Sequence, residues 1–412
     1  MVDDGAELLP ENAVLLHIGP FKTGSTALQA ALFAAKPRLG DYGVAYPGMW
    51  RRIVTAGYSA IGWAPRGREL RPISAWEHFA AQVQKRQHRR VCVSTEDFSN
   101  VAFADRFPKI VDDLGSERVQ IVTVARAFHR LLPSCWQQSV KEHGTGTYEE
   151  WLHEVLDEDA EGPARDYFWN VHDIERTAAA WLPLVGQDRF RVVIADDSDP
   201  RYLLAIFEKL LGLPDGLLEL TEARNASLTA GGAEVLRQLN DHFDHEGWSD
   251  ELYFTLIQSG LVYGLQAVAA AHDQKLPNLP LWAVERVRQL TEHRIEVLQG
   301  LGVPVIGDLD RLRVPADYLP ADQEPASLVS VESVVSGIAR LLASVVRRDE
   351  RQRETAAEQA AKPVQQPVRP PAPTPKKATR PVVRKLSDYD SRALITELSR
   401  RARRRVRRAV RR

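Results

Sequence analysis

At 412 residues and 44% hydrophobic content, the chain can form one large domain with appendages, or two domains, around a sizeable core. Its two cysteines, Cys92 and Cys135, are too few for a disulfide framework or a cysteine-based zinc site and read as buried free thiols of a reducing cytosol. The start, Met1-Val-Asp-Asp-Gly-Ala-Glu7, is acidic and no run approaches the roughly 18 apolar residues of a spanning helix, so the expectation is a cytoplasmic chain, neither exported nor embedded. A net charge of −1 hides an asymmetry: residues 362–412 carry 17 Lys and Arg against three acidic residues, leaving an acidic body of net −15 and a basic tail of net +14. Such a tail seeks a polyanion, either anionic lipid or nucleic acid, or folds back on its own body.

From the start to about residue 310, short apolar runs alternate with longer amphipathic ones. Val14–Ile18, Val44–Tyr46, Arg90–Ser94, Val119–Ala125 and Arg191–Ala195 read as strands, and the segments near 27–36, 74–87, 127–143, 165–182 and 201–211 as helices. The alternation predicts an α/β fold, a parallel sheet flanked by helices on both faces, with ligands at the carboxyl ends of the strands. Gly48 to Pro72, rich in Gly, Arg and aromatics, breaks the rhythm and reads as an irregular excursion: a lid, an acceptor-binding wall or a solvated insertion. After residue 230 the pattern turns helical, over Ala233–Phe243, Leu252–Ala271 and Leu281–Leu301, as a cap completing a first domain over 1–312.

Within 326–361, Val331, Val334, Val335, Ile338, Leu341, Leu342 and Val345 make the stripe of an amphipathic helix that either packs on the body or pairs with a second copy as a homodimer. Residues 362–386 are a proline-rich linker. From Ser387 to 412, Leu394, Ile395, Leu398, Ala402, Val406, Ala409 and Val410 share one helical face among nine arginines between 400 and 412. This basic amphipathic helix suits the plane of an anionic membrane. The same arginines would neutralise nucleic-acid phosphates, but no stacking aromatic accompanies them beyond Tyr389, so the membrane reading is preferred, at the inner face.

The chemistry centres on His17-Ile-Gly-Pro-Phe-Lys-Thr-Gly-Ser-Thr26, a glycine-bearing turn between an apolar run and a helix-like segment. Backbone N–H groups at a helix start form an anion cradle. In the common nucleotide-triphosphate loop GxxxxG is followed by Lys and then Ser or Thr. Here Gly19 and Gly24 keep the glycine spacing, but Ser25 stands in the lysine's place and the lysine has moved inside the turn as Lys22. With no obvious acidic strand end for magnesium, a triphosphate is poorly served, and Lys22 with the hydroxyls of Thr23, Ser25 and Thr26 suits one phosphate carrying a further anion. By itself the loop leaves an unusual kinase or NTPase open.

The Lys22-Thr-Gly-Ser-Thr26 core followed by Ala-Leu-Gln, with Gly43-Val-Ala-Tyr-Pro-Gly48 downstream, resembles the bacterial sulfotransferases. That resemblance implies a P-loop α/β fold, the co-substrate 3′-phosphoadenosine-5′-phosphosulfate (PAPS), no metal, and Lys22, Thr23, Gly24, Ser25 and Thr26 as the loop for the 5′-phosphosulfate. The family grips the 3′-phosphate with an arginine at a strand end and a serine eight residues on, a spacing that Arg126 and Ser134 reproduce. A fixed cation and a hydroxyl beside a helix start also form a charge-assisted phosphate site on physical grounds; the bland alternative is an arginine pairing a carboxylate. Thr147 to Leu152, Trp181 and Phe207 to Leu213 are loosely similar to later family elements, and Arg224 lies in an Asn-x-Ser segment like the one near the nucleotide, without the longer Arg-Lys-Gly signature of the eukaryotic branch.

Sulfuryl transfer needs a base for the acceptor hydroxyl and positive charge where the bridging oxygen leaves. Lys22 is placed for the second task and Glu96, in Val91-Cys-Val-Ser-Thr-Glu-Asp-Phe-Ser99, for the first; Asp97 is the rival, and either could instead be a solvated residue at a helix start capped by Ser94 or Thr95. His17 and His129 read as wall residues rather than bases. The acceptor implied is a hydroxyl of a carbohydrate or glycolipid. A non-catalytic anion-binding protein of the membrane surface is the reading from another class.

Overall fold

The computed structural model describes residues 5–65, 68–221, 227–267, 276–321 and 331–361. Residues 1–352 form one compact unit; of a second unit, 353–412, the described residues 353–361 are helical. The proline-rich linker and the basic helix expected at the C-terminus lie outside the described residues, as does Arg224.

Six parallel strands make one sheet in the order β2-β3-β1-β4-β5-β6. They are β1 (Val14–Gly19), β2 (Val44–Ala45), β3 (Arg90–Ser94), β4 (Val119–Ala125), β5 (Phe190–Ile194) and β6 (Val305–Ile306). The connection leaving β1 runs to β2 on one side of the sheet, whereas the connection leaving β4 runs to β5 on the other. The crevice between the carboxyl ends of β1 and β4 is therefore the topological switch point, where sheets of this kind bind ligands.

Alternation along the strands explains why both faces are covered. Val14, Leu16 and Ile18 of β1, Val119 and Ile121 of β4 and Phe190, Val192 and Ile194 of β5 point to one face. There they meet α3 (Ser74–Gln84), α4 (Phe107–Leu114) and α8 (Ile174–Val185) through Trp76, Phe79, Ile110 and Trp181. Leu15, Val122, Val124 and Val193 point to the other face, against α1 (Ser25–Leu39) and α9 (Tyr202–Leu211). Burying these large side chains stabilises by roughly 1.5–3 kcal/mol each, which fixes the register of a sheet that has no solvated face.

A second, all-helical core lies beside the sheet. It joins α5 (Phe128–Lys141), α6 (Tyr148–Leu156), α7 (Pro163–His172), α10 (Ala230–His245) and α13 (Leu281–Gly300) through Leu131, Trp136, Leu152, Phe168, Leu236 and Val284. Thr147 and Glu150 cap α6 reciprocally, so its start is fixed locally. The segment expected as one helix over 165–182 is two, because Asp173 leaves helical geometry (ψ 112°) and its carboxylate accepts from the N–H groups of Glu175 and Arg176 to start α8.

Three other expectations are corrected. The excursion from Gly48 to Pro72 is not wholly irregular, since it holds α2 (Val54–Ile61), ended by Gly62 at φ 70°. The helix expected over Leu252–Ala271 is broken: α11 (Asp250–Tyr253) passes into a π-helical stretch, Phe254–Leu261, before α12 (Val262–Ala267) resumes α geometry. The apolar stripe of α14 (Val331–Ala361) faces the body only in part: Leu341 packs against the helical core, but Val331, Val335, Ile338, Leu342 and Val345 are exposed, and the helix buries Ser333, Gly337 and Ser344. Close backbone approach explains that choice, because a Cβ on Gly264 would stand 2.6 Å from the Cα of Gly337 and one on Gly260 would stand 2.7 Å from the Ser344 hydroxyl. No helix among the described residues is long and apolar enough to cross a membrane.

Candidate active site

A cavity of about 780 Å³ opens at the switch point, within the range of small-molecule and cofactor sites. Its wall includes Lys22, Gly24, Ser25 and Thr26 from the turn after β1, Glu96 from the turn after β3, Arg126 from the end of β4 and Ser134 from α5. The fold thus brings together seven of the nine residues singled out from sequence. Thr23 is buried beside the cavity rather than in its wall, where its hydroxyl donates to the Pro20 carbonyl at 2.7 Å. Ser25 donates to the same carbonyl at 3.3 Å.

The turn itself is held in an uncommon conformation. Lys22 has φ 67° and Gly24, at the head of α1, φ 97°; a lysine in the left-handed region persists only where its surroundings over-determine it. One such restraint is Arg126, whose guanidinium donates to the Lys22 carbonyl at 2.7 Å. Gly19 sits at φ 89°, where glycine is favoured, and a Cβ there would crowd Glu96, at 3.1–3.2 Å from its Cα, Cβ and Cγ. Turn and candidate base are therefore in direct packing contact.

Charge is concentrated in this cavity. The ammonium group of Lys22 makes no hydrogen bond or ion pair with the described residues, and the same holds for Lys141 at the end of α5. Burial pulls Lys22 below the usual lysine range, against the carboxylates of Glu142 and Glu96 that favour its charge. Burial, assisted by the Lys22 charge, lowers Lys141 to about 8. Two cations that destabilise one another, without hydrogen-bond or ion-pair partners among the described residues, suit an anionic guest.

The carboxylates are arranged differently. Arg52, which sequence reasoning did not single out, pairs with Glu96 at 3.1 Å, without hydrogen-bond alignment, and with Asp97 at 2.6 Å. Burial opposes the Arg52 charge, but the two carboxylates outweigh it and raise its pKa. Asp97 also accepts from the Thr95 hydroxyl at 2.6 Å, and Thr95 caps the short helical turn Glu96–Ser99. Burial pushes the Asp97 carboxyl above its ordinary range despite these partners. Asp97 is the more committed of the two rivals, being tied by Arg52 and Thr95 together. A further carboxylate unforeseen from sequence, Glu142, lines the cavity; burial raises its pKa against the amide of Gln138 at 2.5 Å and the charge of Lys22.

Arg126 is occupied. Its guanidinium pairs with Asp197, just after β5, at 2.6 Å, the bland arrangement for such an arginine. Ser134 lines the cavity and donates to the Arg130 carbonyl at 3.2 Å within its own helix, so its hydroxyl oxygen can still accept. His17 is fully buried, shares a hydrogen bond with Ser94 at 2.8 Å and stands edge-on to Phe207; burial lowers it to about 4. His129 is likewise lowered to about 4 by burial and packs on Tyr318. Neither lines the cavity, so the expectation that they form its wall is corrected: both are buried away from its surface. Cys92 is buried, but Cys135 is only partly so and lies 3.5 Å from Nε2 of His172.

The excursion supplies the outer wall through Arg52, Tyr58, Ile61 and Trp63, with Trp63 packed between Tyr58 and Phe103 at centroid distances of 6.4 and 5.7 Å. No group of three or more His, Cys, Asp or Glu side chains that could hold a metal ion occurs among the described residues.

No protein-family model matches the chain, and no curated protein matches it in sequence. Among solved structures it is similar to a sulfotransferase from Alicyclobacillus acidocaldarius, at 14% identity over 59% of this chain and 95% of that one, with a TM-score of 0.36. A likeness at that level transfers neither residues nor activity.

Proposed function

We propose that the chain is a sulfotransferase that moves a sulfuryl group from PAPS to a hydroxyl of a carbohydrate or glycolipid. The observation that carries this reading is the pair of ammonium groups, Lys22 and Lys141, that have no partner among the described residues and face a cavity at the switch point whose wall also holds Glu96. Lys22 precedes the last glycine of its turn, so its charge sits inside the loop, whereas a triphosphate loop carries it after that glycine.

In this reading the backbone N–H groups of Gly24, Ser25 and Thr26 at the head of α1, with Lys22, hold the 5′ end of the nucleotide. Arg126 and Ser134 hold the 3′-phosphate, Arg126 exchanging or sharing Asp197 as it does so; Arg224 is a further candidate for that end. Glu96, held beside Arg52 at 3.1 Å, takes the proton of the acceptor hydroxyl as the acceptor oxygen bonds to sulfur. The bond between sulfur and the bridging oxygen breaks, and Lys22 meets the charge that develops there. The product nucleotide is 3′-phosphoadenosine 5′-phosphate (PAP). The aromatic wall of Tyr58 and Trp63 suits the face of a sugar ring.

Comparing lipid and glycan extracts incubated with PAPS in the presence and absence of the protein tests this. Sulfated species that form only with the protein are expected, and their absence from every acceptor pool, with no PAP released, would refute it. For the basic tail we propose an anionic membrane surface, at about 1 kcal/mol per basic residue near it. Full-length chain should float with phosphatidylglycerol vesicles and a chain ending at residue 361 should not; equal flotation removes the idea.

A further inference from the structure

A second cavity, of about 230 Å³, lies between α7, α8 and α13 and shares no lining residue with the one at the switch point. Its wall combines apolar groups, Phe128, Trp169 and Leu290, with a strongly basic set headed by Arg294 and Arg165.

Arg294 is unusual. It is only 6% exposed, yet it has no carboxylate within ion-pair distance among the described residues. One of its terminal nitrogens donates to the Arg126 carbonyl at 3.0 Å, and the guanidinium lies 4.6 Å from the centre of the Phe128 ring. Its Nε is buried without a partner, as is Nδ1 of His172, another lining residue that is only 3% exposed. Burial lowers Arg294 to about 10, with the charge of Asp173 acting the other way. Asp173 forms no ion pair with it and is otherwise engaged: it caps α8 and pairs with Arg176 at 3.4 Å.

Arg165 compounds the imbalance. Its guanidinium donates three hydrogen bonds, all to backbone carbonyls, those of Val155, Asp157 and Glu158, which do not neutralise its charge. Of the other acidic residues in the wall, Glu175 faces His293 at 3.8 Å and Asp166 is exposed. A buried guanidinium without a counter-ion is costly, and proteins that keep one generally place an anion beside it. The cavity beside Arg294 has room for a small molecule whose uncharged part would lie against Phe128, Trp169 and Leu290.

We propose that this cavity is a second binding site, for a small organic oxyanion whose carboxylate or phosphate group pairs with Arg294 and whose apolar part fills the space beside Trp169. The recognition chemistry is a planar guanidinium presented in an aromatic setting, which favours fork-like contact with an oxyanion over a point charge.

Isothermal titration of the full-length chain with benzoate, phenyl phosphate and inorganic phosphate tests the site, using Lys22→Ala to suppress binding at the switch point. At least one organic probe should bind Lys22→Ala one per chain. Adding Leu290→Trp, which fills the cavity, or Arg294→Gln should weaken that binding at least tenfold. In Lys22→Ala, whose second cavity is unaltered, the indole N–H resonance of Trp169 should shift with the same probe while that of Trp63 does not. Failure of both organic probes to bind at millimolar concentration, binding unaltered by both cavity substitutions, or a Trp169 resonance that does not move would each overturn the proposal.

Discussion

Lys22→Ala is expected to weaken PAP binding about 10- to 100-fold, the loss of a hydrogen bond to a charged group being worth roughly 1.5–3 kcal/mol. Turnover should fall further, by about 100- to 1,000-fold, since the same charge would meet the leaving oxygen in the transition state. The fold should tolerate the change. The Lys22 ammonium has no partner among the described residues and burial already disfavours its charge, so removing it relieves an electrostatic cost. The backbone at φ 67° is less comfortable for any residue with a Cβ, but alanine is no worse than lysine there. Calorimetry with PAP and a thermal melt separate the two effects. Unchanged PAP affinity in a folded Lys22→Ala protein would take the turn after β1 out of the nucleotide site.

Glu96→Gln is expected to leave PAP affinity within about twofold and to lower turnover by about 100- to 10,000-fold, the usual range for a general base. The amide is isosteric and keeps the packing against Gly19, but it cannot accept a proton. Arg52 complicates the consequence: with Glu96 neutral, its charge is left to Asp97 alone, at 2.6 Å, so a modest loss of stability should accompany the loss of activity. Steady-state kinetics with PAPS in excess, read beside a melt, distinguish these. Full activity in Glu96→Gln would shift the role of base to another carboxylate of the cavity, Glu142, whose pKa burial raises above its ordinary range.

The alternation of Val- and Ile-rich runs with amphipathic segments marks out five of the six strands to within a residue or two, because a two-faced buried sheet demands apolar residues on both sides of every strand. β6, two residues in Val305–Ile306, is too short to leave a pattern. α4 also goes unmarked, its single apolar face being contained in eight residues. The glycines of the turn and the Arg126–Ser134 spacing are legible because backbone geometry and an element boundary fix them locally. Arg52, Lys141, Glu142 and Asp197 are not, since their roles arise from contacts between distant segments. Arg52 reaches its carboxylates across 45 positions and Arg126 meets Asp197 across 71. The two arginines of the Arg51–Arg52 pair look alike in sequence, and only folding tells them apart. The periodicity of α14 marks a helix that is present, but not the face that packs: close helix approach selects the face of small residues, Gly337 and Ser344.

Thermal-shift measurement with PAP, with ATP and Mg²⁺, and with buffer alone tests the central claim most directly, because a ligand that binds the native state raises the melting midpoint by mass action. The structure's account predicts a clear rise with PAP, absent in Lys22→Ala, and little or none with ATP and Mg²⁺. A rise with ATP and Mg²⁺ in which PAP has no share would contradict it.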